Sequence, residues 1–235
     1  MKPYRDPVNS AASTGEDVPA WRRATTGESR WSATIVVLGT LALQLALPGE
    51  MVLRPWWLLP AVSALLVVAL LLINPRRVDH FSRLERGVSL AMVAVVSVIN
   101  GASAVRLVVG IGTGTVGGHP AQVLITGGIV YWTNVVVFSL WYWEFDRGGP
   151  GRRALGARQR ADLLFPQMGL PGRTAKSWEP RYLDYLYMSF TNAAAFSPTD
   201  VMPLRIWAKM TMMLQAAISL MLALMVVAWA VGGLK

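Results

Sequence analysis

The sequence predicts an all-α, polytopic membrane helix bundle with about five transmembrane helices and one re-entrant, pore-helix-like segment. Three observations carry this expectation. Of the 235 residues 54% are apolar and only 15% charged, with a mean hydropathy of +0.43, whereas a soluble domain holds about a quarter charged residues. The apolar residues are gathered into five long blocks, each near the ~20 residues that a spanning helix needs. Lys and Arg collect between alternate blocks, as they do in membrane proteins that obey the positive-inside rule.

Residues 1–30 are polar, contain Pro, Ser, Thr and Gly, and show no apolar period, so they read as a disordered cytoplasmic leader. The first apolar block opens only at Trp31, too late for the short apolar core of a signal peptide. Residues 31–235 form one transmembrane domain, with spans expected at about 31–47, 56–74, 87–111, 122–143 and 210–231. The first span is the shortest, because it includes Gln44 and ends at Pro48. Aromatic residues fall at the block ends as interfacial belts require: Trp31, Trp56 and Trp57, then Trp141, Tyr142 and Trp143, then Trp207 and Trp229.

Orientation follows from the basic residues. Seventeen Lys and Arg lie in the leader, in the connection carrying Arg76 to Arg86, and in the long connection from Glu144 to Arg181; only Arg54 and Lys235 lie in the alternate segments. This asymmetry places the amino terminus in the cytoplasm of a multi-pass protein of the cell inner membrane. The net charge of +9 belongs to residues flanking apolar blocks, so the expected partners are membrane lipids and not nucleic acid. Cysteine is absent, which removes disulfides, thiolate metal sites and cysteine nucleophiles.

Few motifs carry chemistry. Gly112, Gly114 and Gly117 satisfy G-x-G-x-x-G, but the run follows a membrane helix and not a strand, so it reads as a turn. His80 and His119 stand alone, without metal-ligand spacing. Glu144 and Asp146 follow an aromatic belt and read as solvated charges at headgroup level. The intramembrane polar residues are Asn100, Arg106, Asn134 and Gln215; polar groups in hydrocarbon must face a partner, a cavity or the interface. Arg106 lies near the end of its span and can snorkel. Asn100, followed by Gly101, Ala102, Ser103 and Ala104, suits close helix packing. No catalytic residue, metal site or cofactor is expected, and the chain does not read as an enzyme.

The most distinctive stretch is YLDYLYMSFTNAAAFSPTDVMPL, residues 182–204. Residues 182–196 suffice for a half-length helix of ~22 Å, which enters a bilayer without crossing it. Ser197, Pro198 and Asp200 fit a helix start as N-cap, first position and capping-box acid, and Pro203 offers a second start for the last helix.

Tyr187-Met188-Ser189-Phe190-Thr191, followed by Asp200 and Pro203, resembles the pore-helix and filter segment of two-transmembrane pore-loop potassium channels, with their pattern Y-F-S-F, T-V-G-Y-G-D and I-x-P. The whole chain also resembles a family of bacterial integral membrane proteins that share the pattern without its glycines. The resemblance implies a filter-like or pore set of Thr191, Asn192, Ala195, Phe196, Ser197, Pro198, Thr199 and Asp200. It also implies a homo-oligomer, a tetramer if pore-like, that passes monovalent cations. Both filter glycines are missing and Pro198 replaces the filter tyrosine, so a column of inward carbonyls is not implied. The pore-loop family also opens its filter outward, whereas the charge distribution puts the preceding connection in the cytoplasm. The alternatives are a non-conducting membrane scaffold, in which the stretch is a helical hinge, and a small-molecule transporter.

Overall fold

A computed structural model of the chain describes residues 19–29, 31–45, 55, 57–73, 77–78, 83–115, 120–157, 160–170, 177–194 and 200–232. Among these, the fold consists of helices α1 (Trp31–Leu45), α2 (Leu58–Ile73), α3 (Arg83–Gly112), α4 (Pro120–Phe145), α5 (Pro150–Ala154), α6 (Tyr182–Ala194) and α7 (Ile206–Gly232). Four two-residue strands supplement them. β1 (Glu28–Ser29) pairs antiparallel with β2 (Arg77–Val78), and β3 (Leu163–Leu164) with β4 (Met202–Pro203).

The predicted all-α membrane bundle is the observed architecture. Three helices, α3, α4 and α7, are long and apolar enough to cross a membrane. At 15 and 16 residues, α1 and α2 are shorter; the outer ends expected for them, near residues 47, 56 and 74, lie outside the described residues. Helix α4 is central and packs against α1, α3, α6 and α7. Of its most apolar stretch 72% is buried, against 39% for α3 and 28% for α7. Close approach to α7 rests on Gly127, where an added Cβ would lie 2.6 Å from a methyl of Val226.

Polarity is arranged as lipid solvent demands. Large apolar side chains such as Val98, Val105, Met213 and Leu224 face outward, while polar groups hydrogen-bond between helices inside. Ser63 donates to Gln44 Oε1 (3.0 Å), Gln44 Nε2 to Thr133 (3.4 Å), Trp132 Nε1 to Thr40 (3.1 Å) and Trp141 Nε1 to Ser97 (2.8 Å).

One end of the bundle gathers the charge. The β1–β2 pair brings the start of α1 to the end of α2. Arg86 at the start of α3 reaches Glu144 O at the end of α4 (3.4 Å), and Trp143 Nε1 donates to Glu28 (2.8 Å). The β3–β4 pair brings in the start of α7. Every connection with which the sequence associates its basic cluster therefore shares this charged end. At the opposite end Gly114, with φ 67°, closes α3: Thr115 N–H bonds Gly110 O (3.0 Å) and Gly114 N–H bonds Ile111 O (3.3 Å). This pair of bonds is a helix C-cap, not a phosphate loop. Gly117, His80 and His119 lie outside the described residues.

Two expectations need correction, and two helices run on past the apolar blocks that the sequence marks. The last third of the leader is ordered: residues 20–22 form a helical turn with Ala20 and Trp21 buried, and residues 28–29 form β1. A single buried Trp and an acid with partners suffice to dock a polar segment. The first turns of α3 and α7 extend beyond the apolar blocks, to Arg83 and Ile206, since basic and aromatic residues continue a helix into the interface. Pro203 does not start the last helix but lies in β4.

Candidate functional site

Helix α6 is the element that the sequence singles out, and its start is locally encoded. Asp184 N–H bonds Arg181 O (2.9 Å), and the Asp184 carboxylate accepts Arg181 N–H (2.7 Å), which is one half of a capping box. Tyr182, Tyr185, Met188, Ser189 and Ala193 recur at helical spacing and form the buried face against α4 and α7. Thirteen residues give a helix of ~20 Å, short of the ~30 Å hydrocarbon core.

Both ends of the α6 segment are tied to the same face of the bundle. Tyr182 N–H donates to Glu28 and its hydroxyl meets Ser139 Oγ (2.9 Å), at the charged end. Seven residues on, Ser189 Oγ donates to Val135 O (2.7 Å), at mid-helix in α4. From Asp200 the chain is back at the charged end: Val201 is buried, β4 pairs with β3, and Leu204 N–H bonds Asp162 O (2.9 Å). The segment enters and leaves on one side. Of the expected filter-like residues, Ala195, Phe196, Ser197, Pro198 and Thr199 lie outside the described residues, and so does the expected helix start at Ser197; Asp200 is exposed.

Gln215, fully buried on α7, fixes the deep half of α6. Its Nε2 donates to Ser189 O (2.9 Å) and to Ser189 Oγ (2.7 Å). Its Oε1 accepts from Tyr142 OH (2.8 Å) and from Asn192 Nδ2 (2.9 Å), and Asn192 also bonds Met212 O (3.0 Å). Thr191 turns back on its own helix, to Tyr187 O and Met188 O (both 3.0 Å). The structure thus joins Asn192 and Gln215 and leaves the other intramembrane polar residues apart. Asn134 donates to Ser219 (3.0 Å), Asn100 to Val130 O (3.4 Å), and Arg106 is exposed on α3.

The charged end contains a cluster that the sequence reading missed. Glu144 and Asp146 are not solvated: they are 3% and 0% exposed. Asp146 accepts Tyr185 OH (2.6 Å), the N–H groups of Asp162 and Leu163 (3.3 Å each) and Arg147 Nε (3.4 Å). Asp162 accepts the Arg147 backbone N–H (2.9 Å) and Arg205 Nε (3.1 Å). Arg153 donates to Trp143 O (2.6 Å) and Asp146 O (3.0 Å), and lies 3.9 Å from Glu28. Ser89 donates to Glu144 (2.7 Å), and Arg147 Nη1 donates to Trp21 O.

Backbone shape makes this cluster possible. Arg147, Gly148 and Gly149 have φ of 51°, 87° and 97°, so the chain reverses sharply after α4 and returns over the Asp146 carboxylate. At Gly149 an added Cβ would also sit 3.1 Å from Glu144 O. The Gly-Gly pair after an Asp-Arg pair is the one sequence signal that could have revealed the reversal.

The four carboxylates of Glu28, Glu144, Asp146 and Asp162 face the four guanidinium groups of Arg86, Arg147, Arg153 and Arg205, so the cluster is charge-balanced. Burial raises the Glu28 carboxyl above its usual range, against the opposing pull of Arg153 and the bonds from Trp143 and Tyr182. Burial opposes the Arg153 charge, but Tyr185, Asp146, Glu28 and Glu144 outweigh it and raise the guanidinium further. Chemically the arrangement is a clamp joining the leader, α3, α4, α6 and α7. Among the described residues no group of three or more His, Asp or Glu is placed to hold a metal ion. No family model, curated protein or solved structure matches the chain.

Proposed function

We propose that the chain is a pore-module-like protein of the cell inner membrane, with α4 as outer helix, α6 as half-length helix and α7 as inner helix around an intersubunit axis. The observation that carries this reading is the path of α6, which enters the bundle to mid-depth and is followed by chain returning to the face it entered from. Irregular backbone at membrane depth persists only when shielded by protein or facing water. An axis shared by several copies supplies such a place beyond the end of α6.

The outer surface agrees with assembly. Leu183, Tyr187 and Phe190 on α6 are exposed apolar side chains beside the proposed axis. A homotetramer is the closed arrangement that pore-loop architecture implies. Because α6 enters from the charged end, which the positive-inside rule assigns to the cytoplasm, the loop opens inward. Without filter glycines, the permeation expected is of monovalent cations with weak discrimination between potassium and sodium.

A second reading has its own observation. Tyr182, Tyr185, Ser189 and Asn192 spend their hydrogen bonds on α4, α7 and the clamp, as an anchoring hinge in a non-conducting scaffold would. Reconstitution into liposomes separates the two. A pore gives potassium and sodium flux above empty vesicles, carried by particles larger than a monomer. Monomeric particles with no flux at any applied potential would leave only the scaffold.

A further inference from the structure

A cleft opens beside the clamp. A cavity of about 690 Å³ lies at the charged end beside α4 and α7, lined by Arg86, Arg160 and Arg205, by Asp162, and by the rings of Phe145 and Trp207. Its size falls in the range of small-molecule sites. We propose that this cleft binds the phosphate oxygens of an anionic phospholipid headgroup.

The charge arithmetic favours an anion. Three guanidinium groups and one carboxylate line the cleft; Arg86 and Arg205 already belong to the balanced clamp, so the net positive charge comes from Arg160 at the rim. Asp162 gives one oxygen to Arg205 Nε and the other to the Arg147 N–H. Arg205 uses its Nε there while its side chain is 56% exposed, which leaves the other donors of a planar fork suited to bidentate phosphate binding. Arg160 is exposed at the rim.

The apolar side of the cleft identifies the source of the phosphate. Phe145 and Trp207 pack edge to face with centroids 5.4 Å apart, at the interfacial level where the apolar helices end. Next to them on α7, Ile206, Met210, Met213 and Leu214 are exposed, a surface along which acyl chains lie while the headgroup stays among the arginines. A basic pocket that opens onto such a surface suits a lipid phosphodiester, which a soluble phosphate would not need.

The test uses the full chain, purified in a neutral detergent, with phosphatidylglycerol, phosphatidylcholine or inorganic phosphate added, and reads bound lipid by native mass spectrometry and thermal stability. Phosphatidylglycerol is expected to be retained and to raise the melting temperature, while phosphatidylcholine is not. Each of Arg160→Gln and Arg205→Gln should weaken phosphatidylglycerol retention about fivefold. Arg106→Gln, on the lipid face of α3, should leave it unchanged. Undiminished preference in Arg160→Gln, at an exposed site, would overturn the proposal. Displacement of the lipid by millimolar inorganic phosphate would overturn the lipid assignment in favour of a soluble ion.

Discussion

Asp146 joins several separate parts of the molecule. Its carboxylate holds Tyr185 of α6 and the backbone that leads to β3, while its carbonyl receives Arg153. Breaking one partner of a buried ionic network leaves the others uncompensated, which costs about 3–5 kcal/mol. Asp146→Ala is therefore expected to lower the unfolding free energy by about that amount, and Tyr185→Phe by about 1–3 kcal/mol. A double-mutant cycle in detergent checks both, and strictly additive losses would show that the two groups do not act together. Glu28 carries the pH response of the leader. Its folded-state value is raised by burial, so its favourable contribution is full at acid pH and is lost as pH rises through that raised value. Relative to Glu28→Gln, the wild type should gain stability as the pH is lowered from about 7 toward the ordinary carboxylate range. Melting curves of the two proteins across that window decide it, and a difference that is flat or that runs the other way would refute the assignment.

At the scale of elements, α6 keeps its place through Ser189, Asn192 and Gln215. Interhelical hydrogen bonds in membranes average about 0.6 kcal/mol and reach about 1.7 kcal/mol. Gln215 makes four such contacts, so Gln215→Leu is expected to cost about 2 kcal/mol and to loosen α6 without unfolding the bundle. Hydrogen exchange reads this directly: faster exchange confined to residues 186–194 is the expected result, whereas unchanged exchange would mean that packing alone holds the helix. What the sequence revealed here has a physical pattern. The apolar blocks of α3, α4 and α7 were legible because burial in lipid writes itself into local composition, and the half-length of α6 because Tyr182 begins it and polar residues end it. The clamp was not legible, since Glu28 meets Trp143, Arg153 and Tyr182, all distant in sequence. Apart from the Gly148-Gly149 pair, nothing local distinguishes a buried Asp146 from a solvated one, and Gln215 looked no different from other polar residues within spans.

For the whole molecule, the decisive question is sidedness, because the re-entrant path of α6 and the charged end both depend on which connections share a face. The chain has no cysteine, so single cysteines can be introduced on a silent background. Arg160 and Asp200 are exposed at the charged end, before and after α6, and Thr113 is exposed beyond the far end of α3. If α6 enters and its chain returns, Arg160→Cys and Asp200→Cys react with an impermeant maleimide from one side of the membrane and Thr113→Cys from the other. Reaction at Arg160 and Asp200 only in inverted vesicles would also place the charged end in the cytoplasm, as seventeen basic residues against two require. Were α6 to cross, Asp200→Cys would change sides and join Thr113→Cys. That outcome would separate β4 from β3 by the thickness of the bilayer, contradict the Arg205–Asp162 pair at 3.1 Å, and remove the basis for a half-length helix. Same-side reaction leaves α6 as a helix that starts at the charged end and whose described residues end near mid-depth, which is the arrangement on which both the pore and the hinge readings rest.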